Sequence, residues 1–441
     1  MTKHEITHFP SHDTTNGWAA FLPPRTPRPP LEGEIRADWI VAGAGLAGLA
    51  AARRLAENRP DDKIVVIDAA AAGDGASGRN SGFGIDLPHT VGTNNDENEG
   101  AHGYMRLARA ALAYLEDIVT THGIDCDWRT KGKYQTVVTP KVSAEMLEPF
   151  GRALEALGEP FEWLDKDALA AKLGTTHNHA AIYTPGCILL NPVALMRGLA
   201  DTLPENVTLY EHTPAKAVEY RNGTEITTPN GAIRAPKMIL GVNAFAEQFG
   251  QMKDKILPML AHASLTRPLT EDERARYGVA EDWGVTPCNS FVGITMRYTS
   301  DYRILIRECI RYRPSQHVGA ALQARIKARH QRLFDARFPQ IAGIPLTHTW
   351  TGFVGLSRNG SPGWGEAAPG VWTAVCQNAI GITKGTISGL LAADLACERE
   401  NPLLGDMAAL GTPSNLPPEP IRALGVRGRL LWDLWTARHE A

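Results

Sequence analysis

The unit that most constrains this chain is a strand, a glycine turn, a helix and a second strand within residues 38–68. Asp38-Trp-Ile-Val-Ala42 and Lys63-Ile-Val-Val-Ile-Asp68 are short apolar runs, and Leu46 to Asn58 between them is rich in Ala and Leu. Strands with no polar face, joined by a helix-length segment, predict parallel neighbours buried on both sides. The turn reads Gly43-Ala44-Gly45-Leu46-Ala47-Gly48. Its first glycine permits a tight turn, its second lets backbone approach a pyrophosphate, and its third lets helix and strand pack closely. The helix start adds free N–H groups and a partial positive charge. Asp68 ends the second strand 20 residues after Gly48, where an acid accepts hydrogen bonds from an adenosine ribose. Together these parts predict a dinucleotide site.

The following segment, Gly73-Asp-Gly-Ala-Ser77-Gly78-Arg79-Asn80-Ser81-Gly82, narrows the ligand. A pure NAD domain would proceed to another helix and strand. Here a second small-residue loop is able to contact an extended ligand, with Arg79 as a cation.

At 441 residues the chain exceeds one compact core, and two domains are expected. Lys and Arg number 45 against 48 Asp and Glu, a net charge of −3, which argues against nucleic acid as a partner. Cys126, Cys187, Cys288, Cys309, Cys376 and Cys397 form no C-x-x-C pair, so neither a zinc knuckle nor a dithiol motif is expected, and no metal site is assigned. Scattered cysteines in a long chain fit a reducing, cytoplasmic setting. The N-terminus lacks an apolar core of signal-peptide length, and no apolar run is long enough to span a bilayer.

The first ~35 residues, ending in PPRTPRPPLEGE, read as an irregular arm lying on the body, because prolines at this density block helix and ladder pairing. Tyr104 to Thr120 and Ser143 to Leu157 read as helices, and Asn191-Pro192 as a helix start with Asn as the cap. Strands are expected at 206–210, 217–220, 225–228, 237–241 and 371–375, with a β-rich stretch from about Lys255 to Arg311. Gly381 to Asp394 reads as a loop followed by a helix.

In the Gly43–Gly48 turn with Asp68, the Gly75-Ala-Ser-Gly-Arg-Asn80 loop, the Ile239-Leu-Gly-Val-Asn-Ala244 strand end and the Gly381-Ile-Thr-Lys-Gly385 loop, the chain resembles the D-amino-acid-oxidase-type family of FAD-dependent oxidoreductases. That group holds glycine oxidase, sarcosine oxidase and gamma-glutamylputrescine oxidase, and the chain resembles the gamma-glutamylputrescine-oxidase-like branch in particular. The resemblance implies an α/β fold of the glutathione-reductase type with a second, antiparallel-sheet substrate domain. Residues 36–105, 186–250 and 345–400 would form a discontinuous FAD-binding domain, residues 106–185 and 251–344 the substrate domain, and residues 401–441 a tail. It implies FAD contacts from Gly43, Ala44, Gly45, Leu46, Ala47, Gly48, Asp68 and Ala69, and from Ser77, Gly78, Arg79, Asn80 and Ser81. Val218 would present backbone to the adenine, Asn243 and Ala244 would lie near the pyrophosphate, and Gly381, Ile382, Thr383 and Lys384 beside the isoalloxazine, where a cation stabilises negative charge on reduced flavin.

Two departures from relatives matter. In Trp350-Thr-Gly-Phe-Val-Gly-Leu-Ser-Arg358, Val354 occupies the place of the Arg that holds a substrate carboxylate in glycine-oxidase-like enzymes. A carboxylate would need another cation, and Lys384 and Arg79 are the candidates. No Cys stands between Cys309 and Cys376, so noncovalent FAD is expected, with Cys376 the one exception. His262 is the candidate base accepting a proton from an ammonium substrate, and Trp350 a candidate pocket wall. The implied reaction is oxidation of a C–N bond in an amine or secondary amino acid (sarcosine-, iminodiacetate- or pipecolate-like). Hydride passes to flavin N5, the imine hydrolyses, and O2 or another acceptor reoxidises the flavin. A gamma-glutamylated polyamine is the alternative substrate. An NAD-dependent dehydrogenase or a non-catalytic flavin carrier are the competing classes.

After Pro417-Pro-Glu-Pro420, Ile421, Leu424, Leu430, Leu431, Leu434 and Trp435 recur at mostly helical spacing, with Arg422, Arg427, Arg429 and Arg438 adding a basic bias. The apolar face of this helix is expected to dock on the protein's own body or a second subunit in a homo-oligomer. A membrane surface is the alternative.

Overall fold

The computed structural model describes residues 2–9, 16–88, 95–288, 293–436 and 438–440; parts of the N-terminal arm, of the 36–105 stretch, of the β-rich stretch from Lys255 to Arg311 and of the tail lie outside the described residues. A six-stranded sheet runs in the order Val207–Tyr210, Ile64–Ile67, Trp39–Ala42, Lys237–Leu240, Val371–Val375, Gly363–Ala368, parallel except for the last pair. Its alternating side chains separate two cores. Trp39, Val41, Ile64 and Val66 face the helices Leu46–Asn58 and Thr386–Ala396, whereas Ile40, Ala42, Val65 and Ile67 face a five-stranded sheet carrying Val218, Ile226 and Ile233. Burial on both faces is why these strands carry no polar alternation.

The five-stranded sheet orders Thr2–Glu5, Ala217–Tyr220, Thr224–Thr228, Gly231–Ala235 and Gly33–Arg36. The arm expected to be irregular therefore supplies both edge strands. Edge pairing uses backbone, and Lys3 and Glu5 project to solvent, so no apolar signal marked them.

The second layer system is an eight-stranded sheet in the order Leu346–Leu356, Leu257–Thr266, Ile304–Tyr312, Thr295–Tyr298, Trp283–Pro287, Lys133–Val137, Ala180–Thr184, Glu162–Leu164. It is antiparallel apart from the parallel pair Trp283–Pro287 with Lys133–Val137. The helix Ala320–Arg337, which sequence patterning did not single out, packs on it through Ile326 and Phe334. The helix Asn95–Thr121 runs continuously across residue 105, where the division between the two parts is drawn from sequence. Among the described residues no helix is long and apolar enough to cross a membrane.

The tail helix forms as its period predicts, over Ile421–Thr436. Its expected docking on the chain's own body through the apolar face is corrected. The side chains it buries are Arg422 and Asp433, while Ile421, Leu424, Leu431, Trp432, Leu434 and Trp435 are exposed.

Candidate functional site

The glycine turn is built by contacts that only glycine tolerates. Gly43 has φ +100°, and a Cβ there would stand 2.8 Å from the Gly241 carbonyl oxygen. A Cβ on Gly48 would lie 1.7 Å from the Gly43 carbonyl oxygen, so glycine is what lets the helix start against the strand. Asp68 accepts the Ala44 N–H on Oδ2 at 2.7 Å and the Ala70 N–H on Oδ1 at 2.9 Å. Burial raises its carboxyl to about 6, against the pull of those two donors. Ser77 Oγ accepts the Leu46 N–H at 3.0 Å, so the second loop caps the first helix. Gly43, Ala44, Gly45, Asp68, Ala69, Ser77 and Asn243 line one cleft of about 950 Å3, counted to its open mouth, with His8 and Phe9 of the N-terminal segment on its wall.

The second loop is pinned by its carbonyl groups. Asn16 Nδ2 donates to Gly78 O at 2.6 Å, Trp18 Nε1 to Asn80 O at 2.9 Å and Trp350 Nε1 to Arg79 O at 3.0 Å. Arg297, fully buried on the eight-stranded sheet, donates through Nη1 to Ser81 O at 3.3 Å, Gly82 O at 3.1 Å and Leu190 O at 2.6 Å. Arg79 donates to Asp74 O at 2.6 Å and Thr351 O at 3.4 Å. Burial lowers both guanidinium groups to about 10, opposed by nearby Asp127 for Arg297 and Asp74 for Arg79.

The late loop is strained. Cys376, Asn378 and Ala379 have φ of 57°, 52° and 66°, a left-handed conformation that non-glycine residues adopt only when surroundings impose it. Asn378 is held by donating to Gly360, Ser361 and Cys376 carbonyls and accepting the Ser357 N–H. A π-type turn, Gly381–Gly385, then enters the helix Thr386–Ala396 and abuts the glycine turn, since a Cβ on Gly385 would lie 3.4 Å from Leu46 Cβ. Lys384 stands half-buried in this turn with Nζ 5.4 Å from the Tyr104 ring centroid. Among the described residues no carboxylate pairs with it, and burial lowers its ammonium to about 8. Gln377 Nε2, Thr383 Oγ1 and Tyr104 Oη are buried without a hydrogen-bond partner; the Tyr104 and Thr383 hydroxyls face one another, but not in bonding geometry.

Residues 38–395 match the family model described as FAD dependent oxidoreductase. The chain belongs to this family. It is 28% identical over 400 residues to a probable oxidoreductase OrdL of Rhizobium meliloti, covering 88% of this chain and 89% of that one. It is 26% identical to the gamma-glutamylputrescine oxidoreductase of Escherichia coli, covering 95% and 94%. The crystal structure of glycine oxidase from Geobacillus kaustophilus superposes with a TM-score of 0.71 at 21% identity, covering 87% of this chain and all of that one. The protein is thus an FAD-dependent amine or amino-acid oxidoreductase. Its residues fit the cofactor: a glycine cradle that a Cβ would fill, an acid at the ribose position, and orphaned polar atoms of Gln377 and Thr383 in the loop that carries Lys384.

Three sequence-assigned residues stand in surroundings other than those expected. His262 lies in Leu257–Thr266, where Ala263 and Leu265 pack with Trp18, Val193 and Trp350, the side of the second loop. His262 and Ser264 point to the opposite face. There His262 Nδ1 bonds Thr351 Oγ1 at 2.8 Å, Gln323 of the covering helix donates to the same oxygen at 3.4 Å, and Ser264 bonds His330 at 2.7 Å. Burial drives the imidazole down to about 3, with Arg311, His330 and Arg307 adding to the shift. The imidazole is thus enclosed by Thr351, Gln323 and His330, on the face from which Phe353 reaches the cleft. Val218 is not in the cleft lining; it is paired with His4, because the N-terminal strand occupies the edge expected to meet the adenine. Trp350 is fully buried in a T-shaped pair with Trp18, at 6.4 Å and 65°, rather than walling an open pocket. Ala244 and the Gly381–Lys384 turn flank the cleft without lining it.

Sequence reading missed Tyr104, Asp86 and Lys133. Lys133 is 1% exposed and donates to Gln135 Oε1 at 2.8 Å; Asp86 is 4% exposed with Oδ1 unpartnered. Burial raises the Asp86 carboxyl and lowers the Lys133 ammonium, and each feels the other's charge. The available signal was strand parity, since Lys133 and Gln135 share the inward positions of Lys133–Val137 with buried Val137.

Proposed function

We propose that this oxidoreductase oxidises the C–N bond of a carboxylate-bearing secondary amine, an amino acid of the sarcosine, iminodiacetate or pipecolate kind. The observation that carries the reading is Lys384, an enclosed ammonium that no carboxylate pairs with among the described residues, beside the unpartnered Thr383 and Gln377 groups. Val354 replaces the arginine of glycine-oxidase-like relatives, and Arg358 is exposed, so Lys384 is the cation placed to orient a substrate carboxylate. Bound FAD supplies the oxidising power, accepting two electrons and hydrogen from the C–N unit. The reacting nitrogen must be a free amine, and a nearby cation disfavours its ammonium form. Arg79 and Trp350 act as positioning residues: their bonds to Thr351 O and Arg79 O fix the second loop against the sheet. FAD is held noncovalently, since burial pushes the Cys376 thiol up to about 12 and leaves it protonated.

A second reading, a gamma-glutamylated polyamine, rests on Asp86, whose unpartnered buried oxygen is able to accept a distal ammonium, and on the gamma-glutamylputrescine oxidoreductase relative. Anaerobic titration of the yellow protein decides between them. Bleaching by secondary amino acids and not by glutamylated diamines supports the first reading. The reverse result sinks it, and peroxide formation in air identifies O2 as the acceptor.

A further inference from the structure

The helix Ile421–Thr436 is mounted with its polar side inward. At 3.6 residues per turn, Arg422, Val426 and Asp433 fall on one side and Leu424, Leu431, Trp435, Gly428, Ile421 and Trp432 on an arc of about 100° opposite them. The burial follows: Arg422 and Asp433 are buried, Val426 and Leu430 partly so, and the outer arc is open, with Leu424 at 69%, Leu431 at 67% and Trp435 at 62% exposure. The mounting is firm at both ends. Arg422 pairs with Asp254 and donates to Pro417 O at 2.9 Å, and Glu419 accepts the Tyr312 hydroxyl at 2.5 Å. Beyond the helix, Glu440 accepts the Val138 and Thr139 N–H groups at 2.8 and 3.0 Å. The apolar face is therefore held outward by the docking of the polar one.

We propose that this outer face is a peripheral docking surface for an anionic lipid bilayer. Arg427 borders the apolar arc on one side and Arg429 on the other, and Arg438 follows the helix. The helix's one acid, Asp433, is turned inward, where it pairs with Arg429 at 2.9 Å. Cations flanking an apolar arc sit at headgroup depth while the arc enters the acyl boundary. Trp432 and Trp435, with ring centroids 5.5 Å apart, are amphipathic rings of the type that collects at that boundary. Charge distinguishes this occupant from a second copy. An isologous contact would bring Arg427 and Arg438 of two identical faces together with no outward acid to answer them, whereas anionic headgroups answer both. No described helix is long and apolar enough to cross the bilayer, so the contact is superficial.

The test is co-sedimentation of the holoenzyme with vesicles of phosphatidylcholine plus phosphatidylglycerol, and with phosphatidylcholine alone. The expected result is binding to the anionic vesicles, release by salt, and about tenfold weaker binding to the neutral ones. Trp432→Asp/Trp435→Asp and Arg427→Glu/Arg438→Glu should each lose about tenfold in binding while retaining solution turnover, since all four side chains are exposed. If the first pair folds poorly, quenching of wild-type tryptophan emission by brominated lipid reads the same contact. Wild-type enzyme that stays in the supernatant, or a double-tryptophan variant that binds like wild type, overturns the proposal. So does a wild-type dimer that ignores vesicles and becomes monomeric in the tryptophan variant, which would assign the face to a second copy.

Discussion

The Lys384 ammonium lies 5.4 Å from the centroid of the Tyr104 ring, and the aromatic face is its companion where a carboxylate would ordinarily stand. A cation kept charged in a buried site costs solvation, and burial lowers its pKa to about 8. The sign is fixed by that direction: the charge is present below about pH 8 and is lost as pH rises through it. If the cation orients substrate, kcat/KM measured with a saturating acceptor falls on the alkaline side of that value. Lys384→Met keeps the apolar stem and removes the charge; the expected loss in kcat/KM is about 10²-fold, with FAD retained and the alkaline fall abolished, leaving only the rise as the substrate ammonium loses its proton. Unchanged kinetics return Lys384 to a structural role.

His262 gives the complementary expectation. It faces the helix Ala320–Arg337 and bonds Thr351, so it is expected to contribute packing rather than proton transfer. His262→Gln should lower the melting temperature and leave kcat within about twofold, because the change acts on a buried hydrogen bond worth ~1 kcal/mol. A collapse of kcat with normal folding and normal flavin content would reinstate it as a base.

Arg297 is expected to matter for cofactor retention although it stands on the substrate-side sheet. One guanidinium nitrogen serves the Ser81, Gly82 and Leu190 carbonyls. Arg297→Met leaves the Leu190 carbonyl without this donor, while Gly82 O keeps the Leu190 N–H at 3.0 Å, a cost of about 1–3 kcal/mol. Weaker FAD binding by equilibrium dialysis and a lower melting temperature should appear together. If only stability falls, the second loop holds its shape without the clamp.

The strand–turn–helix unit was legible because several independent signals coincide there. The helix spans Leu46–Asn58 as its composition predicts, since glycine at Gly43 and Gly48 is demanded by backbone contact. The Asn191 cap was equally readable, its side chain accepting Val193 and Ala194 N–H groups at 3.1 and 3.2 Å. His262 was not, because a strand's period of two separates its faces without saying which one meets the cofactor. Tyr104, Asp86 and Lys133 come from three distant segments, and only tertiary packing makes them neighbours. The tail's amphipathic period was plain in sequence, but its inward face was decided by the pairing of Arg422 with Asp254, a contact 168 residues away in the chain.

Cys376 bears on how the flavin is held. It stands at the end of the strand Val371–Val375, fully buried, with φ 57°. Burial pushes its thiol up to about 12, and the nearby Lys384 charge opposes that shift without reversing it. A thiol so far from ionising is a poor nucleophile toward a flavin ring. Acid precipitation should therefore release the colour into the supernatant and leave a white pellet, and Cys376→Ser should bind FAD with unchanged stoichiometry. The serine hydroxyl is slightly smaller and needs a hydrogen-bond partner, so a modest loss of stability, about 1 kcal/mol, is expected from the substitution itself. A yellow pellet that turns white in Cys376→Ser would establish a covalent link at this position and overturn the noncovalent reading.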